Sequence, residues 1–211
     1  MSPSRSRTPL VIGIVLAVVA VVAIAAVVLT GGGDDDDATD ATAYGLVQAD
    51  GDPLPPGETP EAGVGLPVPR LTGTDYDGNP VTIAPGEDGP MLIVVMAHWC
   101  PHCNREIPLL VDWEESGQVP EGLQVVGIST AATEGRDHFP PGTWLDELGW
   151  DWPVIADDEA QTAAAAVGTT GYPYMLFVAA DGTVQAHASG ELPIEAIQQL
   201  ADAAAATADA T

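Results

Sequence analysis

The only two cysteines of the 211-residue chain are Cys100 and Cys103, in the hexapeptide HWCPHC at residues 98–103. Two thiols one helical turn apart can close a disulfide with each other and reopen it. An apolar run at 91–97 precedes the hexapeptide and a helical pattern follows it, so we expect Cys100 at a helix N-terminus. The positive end of the helix dipole stabilises a thiolate there, which makes Cys100 the candidate nucleophile.

The two residues between the cysteines suit this chemistry. Pro101 fits the first turn of a helix, where its missing N–H is not needed. His102 can add positive charge or a hydrogen-bond donor beside the Cys100 sulfur. Stabilising the reduced thiolate in this way makes a dithiol pair a stronger oxidant.

Three other uses of these residues remain open. A purely structural disulfide would stabilise the fold little, because so short a loop restrains the unfolded chain by only about 2 kcal/mol. A zinc site would need a second ligand pair, and His138 and His187 are isolated, as expected of surface or loop residues. His98 is a ligand or base only if it does more than pack at the end of its strand.

Apolar periodicity and turn residues predict strands alternating with helices. The expected fold class is α/β, a mixed central sheet flanked by helices and ending in a hairpin at Asp181-Gly182. Asp157 or Asp158 is expected to cap the third helix. The predicted strands are 81–83, 91–97, 123–129, 153–156, 174–179 and 183–188, and the predicted helices are 101–117, 143–148, 158–167 and 193–206.

The composition excludes two classes of protein. There are 31 Asp and Glu residues against five Arg and no Lys, for a formal net charge of -26. Such a surface cannot neutralise phosphates, so a nucleic-acid partner is not expected. Two cysteines cannot staple a small disulfide-rich domain.

Residues 10–29 are a run of 20 apolar residues, long enough as a helix to span a bilayer of about 30 Å. Arg5 and Arg7 precede the run and four Asp follow it at 34–37. The positive-inside rule therefore predicts one transmembrane helix in the plasma membrane, with a cytoplasmic tail at 1–9 and the rest outside. A cleaved signal peptide is the alternative. Either arrangement gives a compartment that supports disulfide chemistry.

The remaining boundaries follow from composition. Residues 30–63 are rich in Gly, Asp and Pro, which predicts a disordered linker. A folded domain is expected at 64–202, and a flexible tail at 203–211.

Several motifs occur together in an order known from one family. They are Trp99-Cys100-x-x-Cys103, the continuation Asn104-Arg105-Glu106-Ile107-Pro108, Gly171-Tyr172-Pro173 before a strand, and the Asp181-Gly182 turn. The chain resembles the thioredoxin superfamily, and within it the membrane-anchored TlpA/ResA-like thiol–disulfide oxidoreductases. The resemblance covers residues 64–202 and implies a thioredoxin-like fold.

The resemblance also implies roles for individual residues. Cys100 would be the exposed attacking thiolate and Cys103 the resolving thiol, while Pro173, in a cis peptide, would shape the substrate groove. Trp99 and the backbone of Tyr172 would bind substrate. Glu106 would tune or relay protons at the inner sulfur, unless it is simply a solvent-exposed helix acid.

No metal or nucleotide would be needed, because the redox-active Cys100–Cys103 disulfide is the only redox group implied. The implied partners are substrate proteins with cysteines and a membrane redox partner that recycles the disulfide.

Two departures leave the direction of the reaction open. Many thioredoxins carry a buried Asp where this chain has Val94, so a proton relay would have to use Glu106 or water. The dipeptide Pro101-His102 resembles the oxidising DsbA proteins, although DsbA's large helical insertion is missing and a βα insertion of TlpA/ResA type replaces it. The family favours reduction, including reduction that yields the thiols of apocytochrome c, whereas the dipeptide favours oxidation.

Two other activities are less well supported. A thiol peroxidase normally places Thr and Pro shortly before a lone peroxidatic Cys, and Ala-His-Trp occupies residues 97–99 here. A Sco-like copper chaperone needs three residues between its cysteines, and this chain has two.

Overall fold

A computed structural model of the chain describes residues 43–208. Within that range eight strands and four helices follow one another. The strands are β1 (Val47–Asp50), β2 (Arg70–Thr74), β3 (Pro80–Ile83), β4 (Met91–Met96), β5 (Gln124–Ser129), β6 (Val154–Ala156), β7 (Tyr174–Val178) and β8 (Val184–Ser189). The helices are α1 (Cys103–Glu115), α2 (Pro141–Leu148), α3 (Thr162–Ala166) and α4 (Ile194–Ala205).

The central sheet has five strands in the order β6-β5-β4-β7-β8. The strand β4 lies parallel to β5 and antiparallel to β7, and β5 lies parallel to β6. This arrangement confirms the predicted mixed sheet, including its closing hairpin β7–β8. All six residues of β4 are buried, as expected for a continuous apolar run at the centre of a sheet covered on both faces.

The two faces of β4 contribute to separate halves of the core because side chains alternate along a strand. Leu92, Val94 and Met96 pack with the apolar faces of α1 and α4, and the alternate residues pack with the small sheet and α3. Helix α1 therefore lies firmly against the sheet immediately after the Cys100–Cys103 segment.

The predicted linker at 30–63 is wrong for residues 43–63. Strand β1, which the sequence did not predict, pairs with the equally unpredicted β2 in a three-stranded sheet β1-β2-β3. Leu54 is only 6% exposed, and its N–H donates to the Ala166 carbonyl at 2.9 Å. Burial of this side chain and pairing of the backbone offset the ordering entropy of a segment whose composition resembles a linker.

The predicted flexible tail at 203–211 is also wrong for residues 203–208. Helix α4 continues to Ala205, and Ala204 is fully buried. The Thr207 hydroxyl then accepts a hydrogen bond from the Ala180 N–H at 2.8 Å. These contacts make the end of α4 part of the core, and residues 209–211 lie outside the described range.

Helix α3 is shorter than predicted, and both aspartates before it contribute to its N-terminus. The Asp158 carboxylate accepts from the Thr162 N–H at 2.8 Å, and the Asp157 carboxylate accepts from the Ala163 N–H at 2.9 Å. The N-cap position is held by Gln161 and not by either predicted aspartate, although both carboxylates bind N–H groups of the first turn.

Residues 43–208 include no helix that is long and apolar enough to span a membrane. The apolar run at 10–29 and the tail at 1–9 lie outside the described residues.

The docking of the 43–63 segment can be tested by stability. Replacing Leu54 with Ala removes a buried side chain, and we expect the free energy of unfolding to fall by about 2–3 kcal/mol. Leu46, which is 79% exposed in the same segment, is the matched control, and Leu46→Ala should change it by less than about 0.5 kcal/mol. Urea unfolding of the full chain measures both, and equal values would show that the segment is not part of the fold.

Candidate active site

The Cys100–Cys103 segment forms the turn between β4 and α1. The Cys100 N–H donates to the Ala97 carbonyl at 3.0 Å, and the Asn104 amide donates to the carbonyls of His98 and Cys100, both at 2.9 Å. The N–H of Cys103, the first residue of α1, donates to the Cys100 Sγ at 3.4 Å. A free N–H at a helix N-terminus thus faces the sulfur that the sequence predicts as the nucleophile.

Both sulfurs are free thiols, and they differ in burial. Cys100 is 5% exposed and Cys103 is completely buried, so the expectation of an exposed Cys100 is wrong. Sequence patterns near the motif could not show the loop at Tyr172 that covers it. Burial raises the pKa of the Cys103 thiol well above its ordinary value, and the neighbouring Cys100 adds to that rise. Cys100 is therefore the outer sulfur, and Cys103 is an inner sulfur that stays protonated until a base removes its proton.

The covering loop is the segment that the sequence predicts to carry a cis proline. The Tyr172–Pro173 peptide bond is cis, which confirms that expectation. The Cys100 thiol donates to the Tyr172 carbonyl at 3.4 Å. Because Tyr174 pairs with Val95 across β7 and β4, the loop is held against the cysteine turn.

Two aromatic rings flank the outer sulfur. The half-buried rings of Trp99 and Tyr172 meet edge to face, with centroids 6.0 Å apart. The Trp99 Nε1–H donates to the Ala131 carbonyl at 2.8 Å, and the Tyr172 hydroxyl donates to Gln161 Oε1 at 3.1 Å. Both rings are thereby held in place on the two segments that meet at Cys100.

Glu106 lies one turn of α1 beyond Cys103 and is 1% exposed, so it is no solvent-facing helix acid. Its two carboxylate oxygens accept from the Leu192 N–H at 3.2 and 3.3 Å. Desolvation raises the pKa of Glu106 to about 6, against the lowering effect of the Leu192 hydrogen bond. This carboxyl group can gain or lose a proton close to neutral pH.

His102 and Pro101 are both exposed at the turn. The His102 ring contacts the Glu191 carboxylate, which also binds the Arg105 guanidinium. The pKa of Glu191 is lowered first by the Arg105 hydrogen bond and then by that of His102. The sequence suggested that His102 donates to the Cys100 sulfur. The hydrogen bonds of the ring are instead made to this ion group.

His98 is completely buried and has a structural role. Its Nδ1 lies 2.7 Å from the Asp137 carbonyl, and its Nε2 accepts from the Thr133 N–H at 3.1 Å. Desolvation lowers the pKa of His98, which keeps the ring neutral in this arrangement. Of the two interpretations drawn from the sequence, the structure therefore supports a packing role for His98.

Residues 43–208 hold no group of three or more His, Cys, Asp or Glu side chains arranged to bind a metal ion. His138 lies on an exposed loop, and His187 stacks on the ring of Tyr174 with centroids 5.6 Å apart.

Several residues of the site were not found by sequence reasoning. They are Asn104, which binds the cysteine turn, Glu191, which binds His102, and Arg136, whose guanidinium lies 4.6 Å from the centroid of the Trp99 ring. Only the scarcity of arginine in so acidic a chain was a usable signal for Arg136.

Residues 64–187, more than half of the chain, match the AhpC/TSA family. The chain belongs to the AhpC/TSA family. It is 27% identical over 132 residues to the thiol:disulfide interchange protein DsbE of Haemophilus influenzae, covering 61% of this chain and 67% of that protein. It is 28% identical over 134 residues to DsbE of Pseudomonas aeruginosa, covering 63% and 69%.

The fold has solved counterparts. A thiol:disulfide interchange protein of the thioredoxin family from Chlorobium tepidum superposes with a TM-score of 0.54 at 22% identity, covering 65% of this chain and 94% of that one. The AhpC/TSA domain of this chain therefore has the thioredoxin-like fold that the motifs imply. With relatives named DsbE and a paired-thiol site, this AhpC/TSA protein is a thiol–disulfide oxidoreductase.

The buried carboxyl group of Glu106 predicts a pH-dependent stability. Its pKa is about 6 when folded and 4.5 ordinarily, so the folded chain holds the proton more tightly. The stability that this gives is complete below pH 4.5 and is lost as pH rises through 6. Glu106→Gln should therefore raise the free energy of unfolding at pH 8, by up to roughly 2 kcal/mol, and leave it unchanged near pH 4.

Urea unfolding across this pH range measures the difference between Glu106→Gln and the original chain. Glu195→Gln, at an exposed acid in the first turn of α4, is the matched control because it makes the same substitution without removing a buried carboxyl group. A gain that is the same at every pH would mean that Glu106 is not the titrating group.

Proposed function

We propose that the chain is a membrane-tethered, extracytoplasmic oxidoreductase that exchanges disulfides with protein cysteines through Cys100 and Cys103. The observation that carries the proposal is the environment of one sulfur. The Cys100 Sγ meets a helix N-terminal N–H and the carbonyl of the cis-proline loop, each at 3.4 Å, and the second sulfur is buried one turn away. No further cofactor is part of the proposal, because the disulfide itself carries the two electrons.

In the reductive direction, the Cys100 thiolate attacks one sulfur of a substrate disulfide. The S–S bond breaks, the other substrate sulfur leaves as a thiolate, and a mixed disulfide forms at Cys100. The Cys103 sulfur, once deprotonated, attacks Cys100 and releases the second substrate thiol. Two electrons and two protons pass to the substrate, and the chain is left with the Cys100–Cys103 disulfide.

The inner thiol needs a base, because burial raises the pKa of Cys103. Val94 replaces the acid that many thioredoxins carry on the preceding strand. Glu106 is the nearest candidate along α1, since residues three apart share a helix face. Its pKa of about 6 lets it accept a proton and return it near neutral pH. We assign it the proton of Cys103.

The cis-proline loop and Trp99 would form the substrate groove. Tyr172 presents its carbonyl to Cys100, and Pro173 directs the chain into the buried strand β7. A substrate segment lying along Tyr172 could pair with its backbone while its cysteine meets Cys100. The ring of Trp99 would provide the apolar side of that groove.

The tether rests on the sequence. Residues 10–29 are apolar and follow two arginines, which supports a single span with the domain outside. The anchored domain would exchange electrons with a membrane redox partner that recycles the disulfide.

A trapping experiment tests function and tether together. Without Cys103 the mixed disulfide cannot be resolved, so Cys103→Ala should accumulate covalent complexes with substrate proteins, whereas Cys100→Ala should form none and lose disulfide exchange entirely. Complexes are detected on non-reducing gels after alkylation of cells that express each variant, and they should be recovered with the membrane fraction.

The possible outcomes separate the two parts of the proposal. Complexes in the soluble fraction would contradict the tether alone. Full exchange activity in Cys100→Ala would contradict the function.

We propose reduction as the direction, including reduction of the apocytochrome c disulfide to its thiols, since the named relatives are DsbE proteins. Oxidation of exported proteins is the second candidate, supported by the Pro101-His102 dipeptide. The His102 ring is bound to Glu191, which also binds the Arg105 guanidinium, so the hydrogen bonds of the ring are made to this ion group and not to the sulfur. This contact supports reduction over oxidation.

The reduction potential distinguishes the two directions. We expect a value near about -270 mV, as for reducing proteins of this fold, and a value near about -120 mV would instead mean oxidation. Equilibration of the full chain with glutathione buffers measures it. His102→Ala should shift it by less than about 30 mV, because the ring is bound away from the sulfur. A larger shift to more negative values would show that His102 stabilises the thiolate.

A further inference from the structure

Arg136 is unlike the other arginines that the structure describes. Arg70 forms an ion pair with Glu87, and Arg105 forms one with Glu191. Within residues 43–208, no carboxylate oxygen lies within 4.0 Å of the Arg136 guanidinium. In a chain with 31 acidic residues and five arginines, an exposed arginine without an ion pair is unexpected.

The guanidinium of Arg136 is placed by the residue next to the reactive cysteine. It lies 4.6 Å from the centroid of the Trp99 ring. A guanidinium stacked on an aromatic ring keeps the N–H groups at its edge available, and these match the two oxygens of a carboxylate. The charge is therefore displayed over the Trp99 ring, and no carboxylate of residues 43–208 forms an ion pair with it.

The loop at 131–139 that carries Arg136 is held at several points. His98 binds Thr133 and Asp137, which lie on either side of Arg136, and Trp99 binds the Ala131 carbonyl. The Tyr44 hydroxyl donates to the Ala132 carbonyl at 2.7 Å. A loop fixed in this way presents Arg136 at little further cost in conformational entropy when a ligand binds.

We propose that Arg136 is a specificity-determining residue, which binds a single carboxylate within a few residues of the reacting cysteine of the substrate. The inference rests on the proposed disulfide exchange and names the substrate class that reacts best. Such a substrate places its cysteine at Cys100 and an Asp or Glu side chain on the Arg136 guanidinium, over Trp99.

The surrounding charge explains why one carboxylate is favoured over an acidic run. Glu134 and Asp137 flank Arg136 in the loop, and the whole chain carries a formal charge of -26. Charges farther than about 8–10 Å away are largely screened in physiological salt, so a single acid is affected mainly by its contact. A polyanionic segment would bring further charges next to Glu134 and Asp137.

The test compares peptides that differ in one residue. Each peptide carries one cysteine as a mixed disulfide with thionitrobenzoate, and Glu or Gln stands at a position scanned from three residues before the cysteine to three after. The Cys100 thiolate of the reduced full chain attacks the peptide sulfur and releases the coloured thionitrobenzoate thiolate. Cys103 then attacks Cys100 and releases the peptide thiol.

The measured quantity is the ratio of the second-order rate constants for Glu and Gln peptides, each divided by its rate constant with dithiothreitol. Division removes the intrinsic effect of the peptide's own charge. At the best position we expect a ratio of about two- to fivefold, the range of an exposed ion pair. The ratio should fall towards one in high salt.

Variants assign the preference to Arg136. The ratio should fall to about one in Arg136→Gln, fall below one in Arg136→Glu, and be intermediate in Arg136→Lys, which keeps the charge without the planar stack. Arg70→Gln removes the same charge from strand β2 and should keep the original ratio.

The outcomes are distinguishable. A ratio near one at every position in the original chain overturns the inference and leaves disulfide exchange intact. So does an Arg136→Gln variant that slows Glu and Gln peptides by the same factor, since Arg136 would then act on Cys100 itself. If the original chain reacts with no peptide, the proposed function fails first, and the inference with it.

Discussion

The antiparallel register of β4 and β7 is the constraint on which the site depends. It pairs Val95 with Tyr174, so the residues that follow β4 and the residues that precede β7 meet at one edge of the sheet. The first set contains Cys100 and the second contains the cis proline at 173. Because both strands are completely buried, a slip in register would move every side chain to the other half of the core and disrupt its packing. The core therefore keeps the cysteine turn and the covering loop in contact across 72 residues of chain.

Burial along one helix separates the roles of three groups. Cys100, Cys103 and Glu106 follow one another at three-residue intervals, and the inner two are almost completely enclosed. Enclosure raises the pKa of the Cys103 thiol and of the Glu106 carboxyl, so both groups favour the protonated state more than they would in water. The outer sulfur instead accepts the Cys103 N–H at the helix N-terminus. A single chain segment thus supplies an outer sulfur that meets a helix N-terminal N–H and an enclosed, protonated sulfur a turn away, which is the asymmetry that ordered disulfide exchange requires.

Local patterns predicted the central sheet well, because a buried strand is recognised from its own run of apolar residues. The strand β4 was expected at 91–97 and lies at Met91–Met96. Strands β1 and β2 were missed because they are short, half-exposed and stabilised by each other across a long connection. The same limitation made residues 43–63 look like a linker and Cys100 look exposed. In each case the decisive contact comes from a segment distant in sequence, such as Ala166 for Leu54 or Tyr172 for Cys100.

The residues of the site likewise include some that the sequence predicted and some that it did not. The paired cysteines were named from their short spacing, and Glu106 and the cis proline from the motifs of the family that the chain resembles. Arg136 belongs to no such motif, and only the folded loop brings it over Trp99. The composition shows why Arg136 is unusual. In a chain so rich in acids nearly every arginine is expected to form an ion pair, and the other two described arginines do so. The loop around Arg136 keeps the carboxylates of Glu134 and Asp137 out of ion-pairing distance, and His98, buried beneath it, holds that geometry. The absence of a carboxylate partner within residues 43–208 forgoes a small stabilisation in the free protein, and under the proposal above the contact is available to a carboxylate that arrives with a substrate.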